Sequence, residues 1–111
     1  MSDKLSITRG DSALFEITAI DEKTEAPILF ETGDTVYFTV KTSVHTEVIE
    51  IQKIIKVFES GIAIVRILPE DTKHMRFGKY VYDVQLTRED GLVKTFIGPS
   101  EFEITAEVTY D

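Results

Sequence analysis

Cysteine and tryptophan are absent from this chain of 111 residues, and histidine occurs only at positions 45 and 74. Without cysteine there is no disulfide framework, no thiolate metal site and no thiol nucleophile. His45 and His74 lie in different segments and lack the i, i+4 spacing of zinc-binding histidines. We therefore expect no metal and no other cofactor, and a core that forms without cross-links.

Long apolar runs and an excess of positive charge are also missing. No stretch approaches the ~20 apolar residues of a membrane helix, and the first residues lack the features of a secretory signal. Twelve basic against twenty acidic residues give a net charge of −8. Because nucleic-acid binding depends on phosphate neutralisation by Lys and Arg, we expect no nucleic-acid or membrane partner, and synthesis in the cytoplasm. The acidity either promotes solubility or matches a basic partner.

Apolar residues recur with a period of two along most of the chain, which is typical of half-buried strands. Segments rich in turn-forming residues separate these runs, and Arg88–Gly91 is the strongest hairpin signal because Asp-Gly accepts the positive φ of tight turns. The predicted strands cover approximately residues 4–8, 13–19, 35–41, 49–57, 62–68, 80–86, 92–97 and 102–108.

Three of these strands have irregular features. Lys53 interrupts the apolar face of the strand over residues 49–57, which favours a bend, a bulge or an edge position. That face consists of Ile49, Ile51, Ile55 and Val57. The run Ile62–Leu68 is apolar on both faces apart from one arginine, which favours a central strand. Gly98–Pro99 indicates a bulge or bend in the last strand.

The segment Pro69–Met75 is the one helical-looking piece, because an early proline and two acidic residues favour the start of a helical turn. Seven or eight regularly spaced strands with almost no helix predict two packed antiparallel sheets, which bury one apolar face per strand. No repeat or linker interrupts the pattern. The prediction is therefore a single all-β sandwich domain over residues 1–111, with one short helical turn near residues 69–75.

Leu68–Thr72 followed by Gly78–Val84 resembles the corner before the penultimate strand of immunoglobulin-like domains. In those domains a tyrosine hydroxyl bonds to the upstream backbone and locks the corner. Here the number of residues between Asp71 and the tyrosines is larger than usual, so the corner contains an inserted turn. The resemblance implies a corner formed by Asp71 with either Tyr80 or Tyr82.

A set of motifs that spans nearly the whole chain resembles the small immunoglobulin-like domains of bacteriophage tail and baseplate proteins, such as the N-terminal domain of baseplate upper proteins. Each motif alone is a generic strand or turn, and Tyr82–Thr87 with Asp-Gly close behind is the most distinctive. The matching segments are Ile7–Asp11, Gly33–Lys41, Leu68–Thr72, Gly78–Thr87, Asp90–Gly91 and Phe102–Thr109.

This resemblance implies a structural protein of a phage or prophage virion, located in the tail or baseplate and acting through protein–protein contacts. Its partners would be other virion structural proteins, and we expect it to form a homo-oligomer. The alternative is a carbohydrate- or receptor-binding β-sandwich at a host-facing tip. The absence of tryptophan makes a sugar site less favourable, because such sites usually present several aromatic rings.

Candidate catalytic and metal-binding motifs are weak. Arg9–Asp11 matches an adhesion tripeptide, but a turn between two strands accounts for it. Three acidic pairs, at residues 21–22, 70–71 and 89–90, lack the ligand spacing of an EF-hand, and calcium at a loop end stays an open alternative. No serine has a histidine and aspartate placed to activate it. We therefore expect a protein that is not an enzyme.

Exposed aromatic residues are the better candidates for function. Tyr37 faces away from the apolar side of its strand, and Phe77 and Phe96 also fall outside the predicted core pattern. Aromatic side chains at a surface are favoured interface anchors. Tyr37, Phe77 and Phe96 are thus the predicted interface residues, although a partly covered second sheet face would also account for them.

Overall fold

Alternating apolar side chains form strands through most of the chain, as the sequence predicts. The computed structural model describes residues 4–20 and 23–106, without the side chain of Phe96. The predicted continuation of the last strand to Val108 lies outside the described residues. Nine strands are described: β1 (Leu5–Thr8), β2 (Ala13–Ile17), β3 (Ala19–Ile20), β4 (Pro27–Ile28), β5 (Thr35–Lys41), β6 (Ile51–Ile55), β7 (Ala63–Ile67), β8 (Gly78–Thr87) and β9 (Val93–Thr105).

The strands form one large sheet and two small ones in a β-sandwich-like arrangement. The five-stranded sheet has the order β1-β9-β8-β5-β6, while β2 pairs with β7 and β3 with β4. The expectation of purely antiparallel sheets is wrong at one place, because β1 runs parallel to β9. The chain turns at residues 9–12 and changes sheets there, so β1 joins the large sheet beside the last strand instead of pairing with β2.

The core lies where the inner face of the large sheet meets β2 and β7. On β5, Val36, Phe38 and Val40 are completely buried. Phe38 packs against Tyr82 of β8 and Phe102 of β9, with ring centroids 5.4 and 6.2 Å away. The buried residues of β7 on the opposite side are Ala63, Val65 and Ile67. The period-two pattern thus fixes which side chains of each strand face inward.

Two sequence expectations about β6 and β7 need correction. Ile49 and Val57 were expected on the apolar face of a long strand, but β6 spans only Ile51–Ile55, so both lie outside it and are 45% and 83% exposed. The run Ile62–Leu68 was expected to be a central strand, but among the described residues β7 pairs only with β2. Ile64, on the outer face of β7, is half-buried. The apolar run therefore reflects partial covering of that face, and not a strand paired on each side of β7.

The β8–β9 hairpin confirms the strongest local signals. Its turn at Arg88–Gly91 has a φ of 95° at Gly91, and the Arg88 amide donates to the Leu92 carbonyl at 2.7 Å. The pairing shifts in register between Tyr82, which faces Ser100, and Val84, which faces Ile97. Two residues, Gly98 and Pro99, therefore lie opposite one residue of β8, which is the predicted bulge.

A single helical turn, α1 (Pro69–Thr72), connects β7 to β8 and joins three parts of the chain. The Leu68 amide donates to Asp71 Oδ2 at 2.7 Å, and Lys53 Nζ of β6 lies 2.7 Å from the same oxygen. The completely buried Thr72 accepts a 2.8 Å hydrogen bond from the Gly10 amide through its hydroxyl. The turn after β1, the edge strand β6 and α1 are thereby held together at one end of the sandwich.

Tyr80 and Tyr82, the two candidates for the corner tyrosine, have different environments. The Tyr80 hydroxyl donates to the carbonyl of Arg76 at 2.8 Å, four residues upstream. Tyr82 is 2% exposed and packs within the aromatic cluster of the core. Tyr80, at the start of β8, therefore makes a bond from its hydroxyl to the upstream backbone.

Asp71→Asn should lower the free energy of unfolding at neutral pH by about 1–2 kcal/mol, because it removes a charged acceptor from two hydrogen bonds. Burial raises the pKa of Asp71, but the bonds from Lys53 and Leu68 and the nearby positive charges outweigh it, so the pKa lies below its ordinary value of 3.8. The carboxylate therefore stabilises the fold fully above pH 3.8 and loses this effect as the pH falls through the lower folded-state pKa.

Urea unfolding of both proteins at several pH values measures this effect. The difference in unfolding free energy between wild type and Asp71→Asn should disappear at acid pH, where the carboxylate becomes protonated. A difference that stays constant down to the lowest pH would show that the carboxylate charge is not what stabilises the corner.

Tyr80→Phe should cost about 1 kcal/mol of unfolding free energy, because it leaves the Arg76 carbonyl without its donor and changes little else. Tyr37→Phe removes the same atom from the solvent-facing side of β5 and should cost less than about 0.5 kcal/mol. Thermal or urea unfolding of the two variants measures the contrast. Equal losses would rule out a specific role for the Tyr80 hydroxyl.

Candidate interaction surface

The outer face of the five-stranded sheet is the broadest surface that regular strands present to solvent. Because inward and outward side chains alternate, the buried residues of β5 and β8 determine which side chains point outward. Tyr37 of β5 lies opposite Gln85 of β8 on one side and Ile54 of β6 on the other. Thr39 is flanked in the same way by Asp83 and Gln52.

Ion pairs occupy the β1–β9 side of this face. Lys4 Nζ lies 3.0 Å from Glu101 Oε2 and 3.1 Å from Glu103 Oε1, and Lys79 Nζ lies 3.7 Å from Glu101 Oε1. The hydrogen bonds from Lys4 lower the pKa of Glu101, and the same bonds raise the pKa of Lys4. These charges lie in solvent and satisfy each other, so this side of the face is a hydrated surface.

On the β5–β6 side of the face, five neighbouring side chains carry no charge, and Lys41 and Asp83 lie at their edge. We call the five side chains there the uncharged patch: Tyr37, Thr39, Gln52, Ile54 and Gln85. Ile54 is 54% exposed, and the Gln52 Nε2 donates to Thr39 Oγ1 at 3.3 Å. These five side chains come from three adjacent strands and form one contiguous uncharged area.

A groove of about 260 Å³ separates the uncharged patch from the β8–β9 bulge. Its lining includes Lys41, Val44, Asp83 and Pro99. Burial raises the pKa of Asp83, and the charge of Lys41 offsets this only in part. The groove therefore places a partly desolvated carboxylate beside the patch, in a lining that also contains Lys41 and the apolar Val44 and Pro99.

The predicted interface residues do not form one cluster. Tyr37 belongs to the uncharged patch, whereas Phe77 precedes β8 and lies eight residues along the chain from Gln85, a separation of roughly 25 Å. Phe77 is 50% exposed, and the Arg9 guanidinium lies 4.3 Å from its ring centroid. Phe96 lies on β9, and its side chain is outside the described structure.

Ile54, the most exposed apolar residue of the uncharged patch, is not among the predicted interface residues. It lies on the opposite face from Ile51 and Ile55, together with Glu50 and Gln52. The available signal was the Ile54–Ile55 pair, which places an apolar residue on each face of a strand already suspected to be an edge. The patch as a whole depends on the register between β5, β6 and β8, which local patterns do not give.

Within residues 4–20 and 23–106, no three His, Asp or Glu side chains come close enough together to hold a metal ion. In the same part of the chain no helix has the length and apolar character to cross a membrane. His45 lies in an exposed turn, where its amide bonds to Ser43 Oγ at 3.3 Å. The outer face is therefore the feature that best suggests a function.

Neither models of known protein families nor the curated proteins match this chain. The function must therefore be argued from the chain's own surface.

Asp83→Asn should raise the thermal midpoint at neutral pH, because burial disfavours the ionised carboxylate in the folded state. The pKa of Asp83 is raised on folding, so the ionised form weakens the fold above that pKa and the protonated form removes the effect below it. The increase in thermal midpoint caused by Asp83→Asn should therefore become smaller as the pH falls through the raised pKa.

Asp11→Asn is the matched control, because Asp11 is exposed and the substitution removes the same charge. Scanning calorimetry of both variants separates burial from the general benefit of reducing a net charge of −8. A smaller midpoint increase in Asp83→Asn than in Asp11→Asn would contradict the burial argument.

Proposed function

We propose that this chain is a non-enzymatic structural domain of a bacteriophage or prophage virion, in the tail or baseplate, that acts through protein–protein contacts. The observation that carries the proposal is the uncharged patch on the outer face of the large sheet, beside the edge strand β6. The whole-chain resemblance to immunoglobulin-like tail and baseplate domains supplies the virion context.

The strand arrangement supports an immunoglobulin-like sandwich. In a variable-type immunoglobulin domain the sheet with strands G, F and C is extended by C′, and strands B and E pair in the other sheet. The order β9-β8-β5-β6 corresponds to the first sheet and the β2–β7 pair to the second. The corner bond from Tyr80 to Arg76 is a further point of similarity.

The composition of the uncharged patch favours a protein partner. Burying an unpaired charge costs free energy, so the centres of protein interfaces are depleted of charged residues and enriched in tyrosine. Tyr37 and the exposed Ile54 provide apolar contact area, and the Gln and Thr side chains can form hydrogen bonds across an interface. The ion-paired side of the same face lacks this combination.

The same patch argues against the carbohydrate-binding alternative. Tyr37 is its only aromatic ring among the described side chains, whereas sugar sites usually present several. In the proposed role the protein is made in the bacterial cytoplasm and works in the virion. Binding to glycans through the groove near Asp83 would favour the host-facing alternative instead.

Light scattering over a range of protein and salt concentrations tests the proposal, together with binding to the other tail and baseplate proteins of the same phage. Ile54→Lys should weaken self-association or partner binding at least tenfold, because it places an unpaired charge in the contact area. The domain should stay folded, since Ile54 points to solvent.

Leu14→Lys is the matched control, because Leu14 is 60% exposed on β2 in the other sheet. It should leave mass and binding unchanged. A protein that stays monomeric and binds none of the other tail proteins would contradict the proposed function. Equal effects of the two lysine substitutions would show that the contact does not involve the uncharged patch.

A further inference from the structure

We propose that the free edge of β6 pairs with β6 of a second copy of this chain, antiparallel about a twofold axis through Lys53. This inference rests on the proposed function, because it names the partner that the uncharged patch contacts. The two large sheets would then form one continuous ten-stranded sheet.

The edge of β6 is available for pairing. β6 is hydrogen-bonded to β5 on one side, and the described residues place no strand on its other side. Gln52, Ile54 and Lys56 are exposed. An unpaired edge presents a row of backbone N–H and C=O groups, which a second strand can satisfy.

The sequence of the edge strand is complementary to itself in one register. With Lys53 facing Lys53 of the second copy, Ile51 faces Ile55 of that copy, and Glu50, the residue before β6, faces Lys56, the residue after it. Opposite charges and apolar pairs across antiparallel strands both stabilise pairing. Because side chains alternate between faces, the outer faces of the two copies stay on the same side only if the register shifts by two residues or a multiple of two. Centring the pair on residue 52 or 54 places Lys53 opposite isoleucine instead.

Lys53 is the residue that would normally oppose this pairing. A charged side chain that points inward from an edge strand protects the edge, because it would be buried near its symmetry mate. Here the Lys53 ammonium is already bound to Asp71 of its own chain at 2.7 Å. The two lysines that meet at the axis are thus each neutralised, which weakens that protection.

Pairing in this register would also join the two uncharged patches. Ile54 would face Gln52 of the second copy and lie diagonal to its Ile54, within reach of apolar contact. In each chain Tyr37 lies directly beside Ile54. The other free edge of the sheet, Lys4–Thr8, has no acidic residue to face Lys4, which is already engaged by Glu101 and Glu103.

A charge-swap cycle measured by analytical ultracentrifugation tests the inference. Lys56→Glu and Glu50→Lys should each weaken the dimer about tenfold, because each places like charges opposite one another at two symmetric positions. The double variant Glu50→Lys/Lys56→Glu should return the dissociation constant to within about threefold of wild type. Thermal unfolding of the same proteins checks that each variant folds.

Lys94→Glu is the matched control, an exposed charge reversal on β9, and should leave the dissociation constant unchanged. A monomeric wild type, single reversals without effect, or a double variant as weak as the singles would overturn the pairing. If wild type self-associates and Ile54→Lys weakens it while the swap cycle has no effect, the proposed function stands and this register fails. A failure of both would appear as a monomer that binds no tail protein.

Discussion

Burial of every second side chain along β5 and β8 is the constraint on which the rest of the structure depends. Val36, Phe38 and Val40 fill the core together with Tyr82 and its neighbours on β8. A shift of one residue in their pairing would bring polar side chains inward, so the register has little freedom. The same register determines the outer face, because the residues between the buried ones must point to solvent. The uncharged patch is therefore positioned by the core that lies beneath it.

The corner around α1 connects this core to the edge of the sheet. Asp71 accepts hydrogen bonds from the Leu68 amide and from Lys53, so one carboxylate caps a helical turn and anchors the central residue of β6. Thr72 holds the turn at Gly10 in the same region. The edge strand is thus fixed from within, while Gln52 and Ile54 are exposed on its outer face. The ion pair between Lys53 and Asp71 that stabilises the fold lies on the inner face of β6, and the proposed interaction uses the outer face.

Features that depend on neighbouring residues could be predicted from the sequence, and features that depend on distant pairing could not. The alternation of β5 and β8, the Asp90–Gly91 hairpin and the bulge at Gly98–Pro99 all follow from local backbone preferences. The parallel pairing of β1 with β9 joins residues almost a hundred positions apart, so no local pattern indicates it.

The candidate surface shows the same division. Tyr37 was predicted as an interface residue because it is an aromatic residue that faces away from the apolar side of its own strand. Ile54 joins it only through the register between β5 and β6.

Hydrogen–deuterium exchange of the wild-type protein at low and high concentration tests the central claim most directly. If the protein associates through the β6 edge beside the uncharged patch, the amides of Ile51–Ile55 should exchange more slowly as concentration rises. Those of β2 and β7, in the other sheet, should not change. Slowing confined to β2 and β7, or exchange that is independent of concentration throughout, would contradict association through this edge.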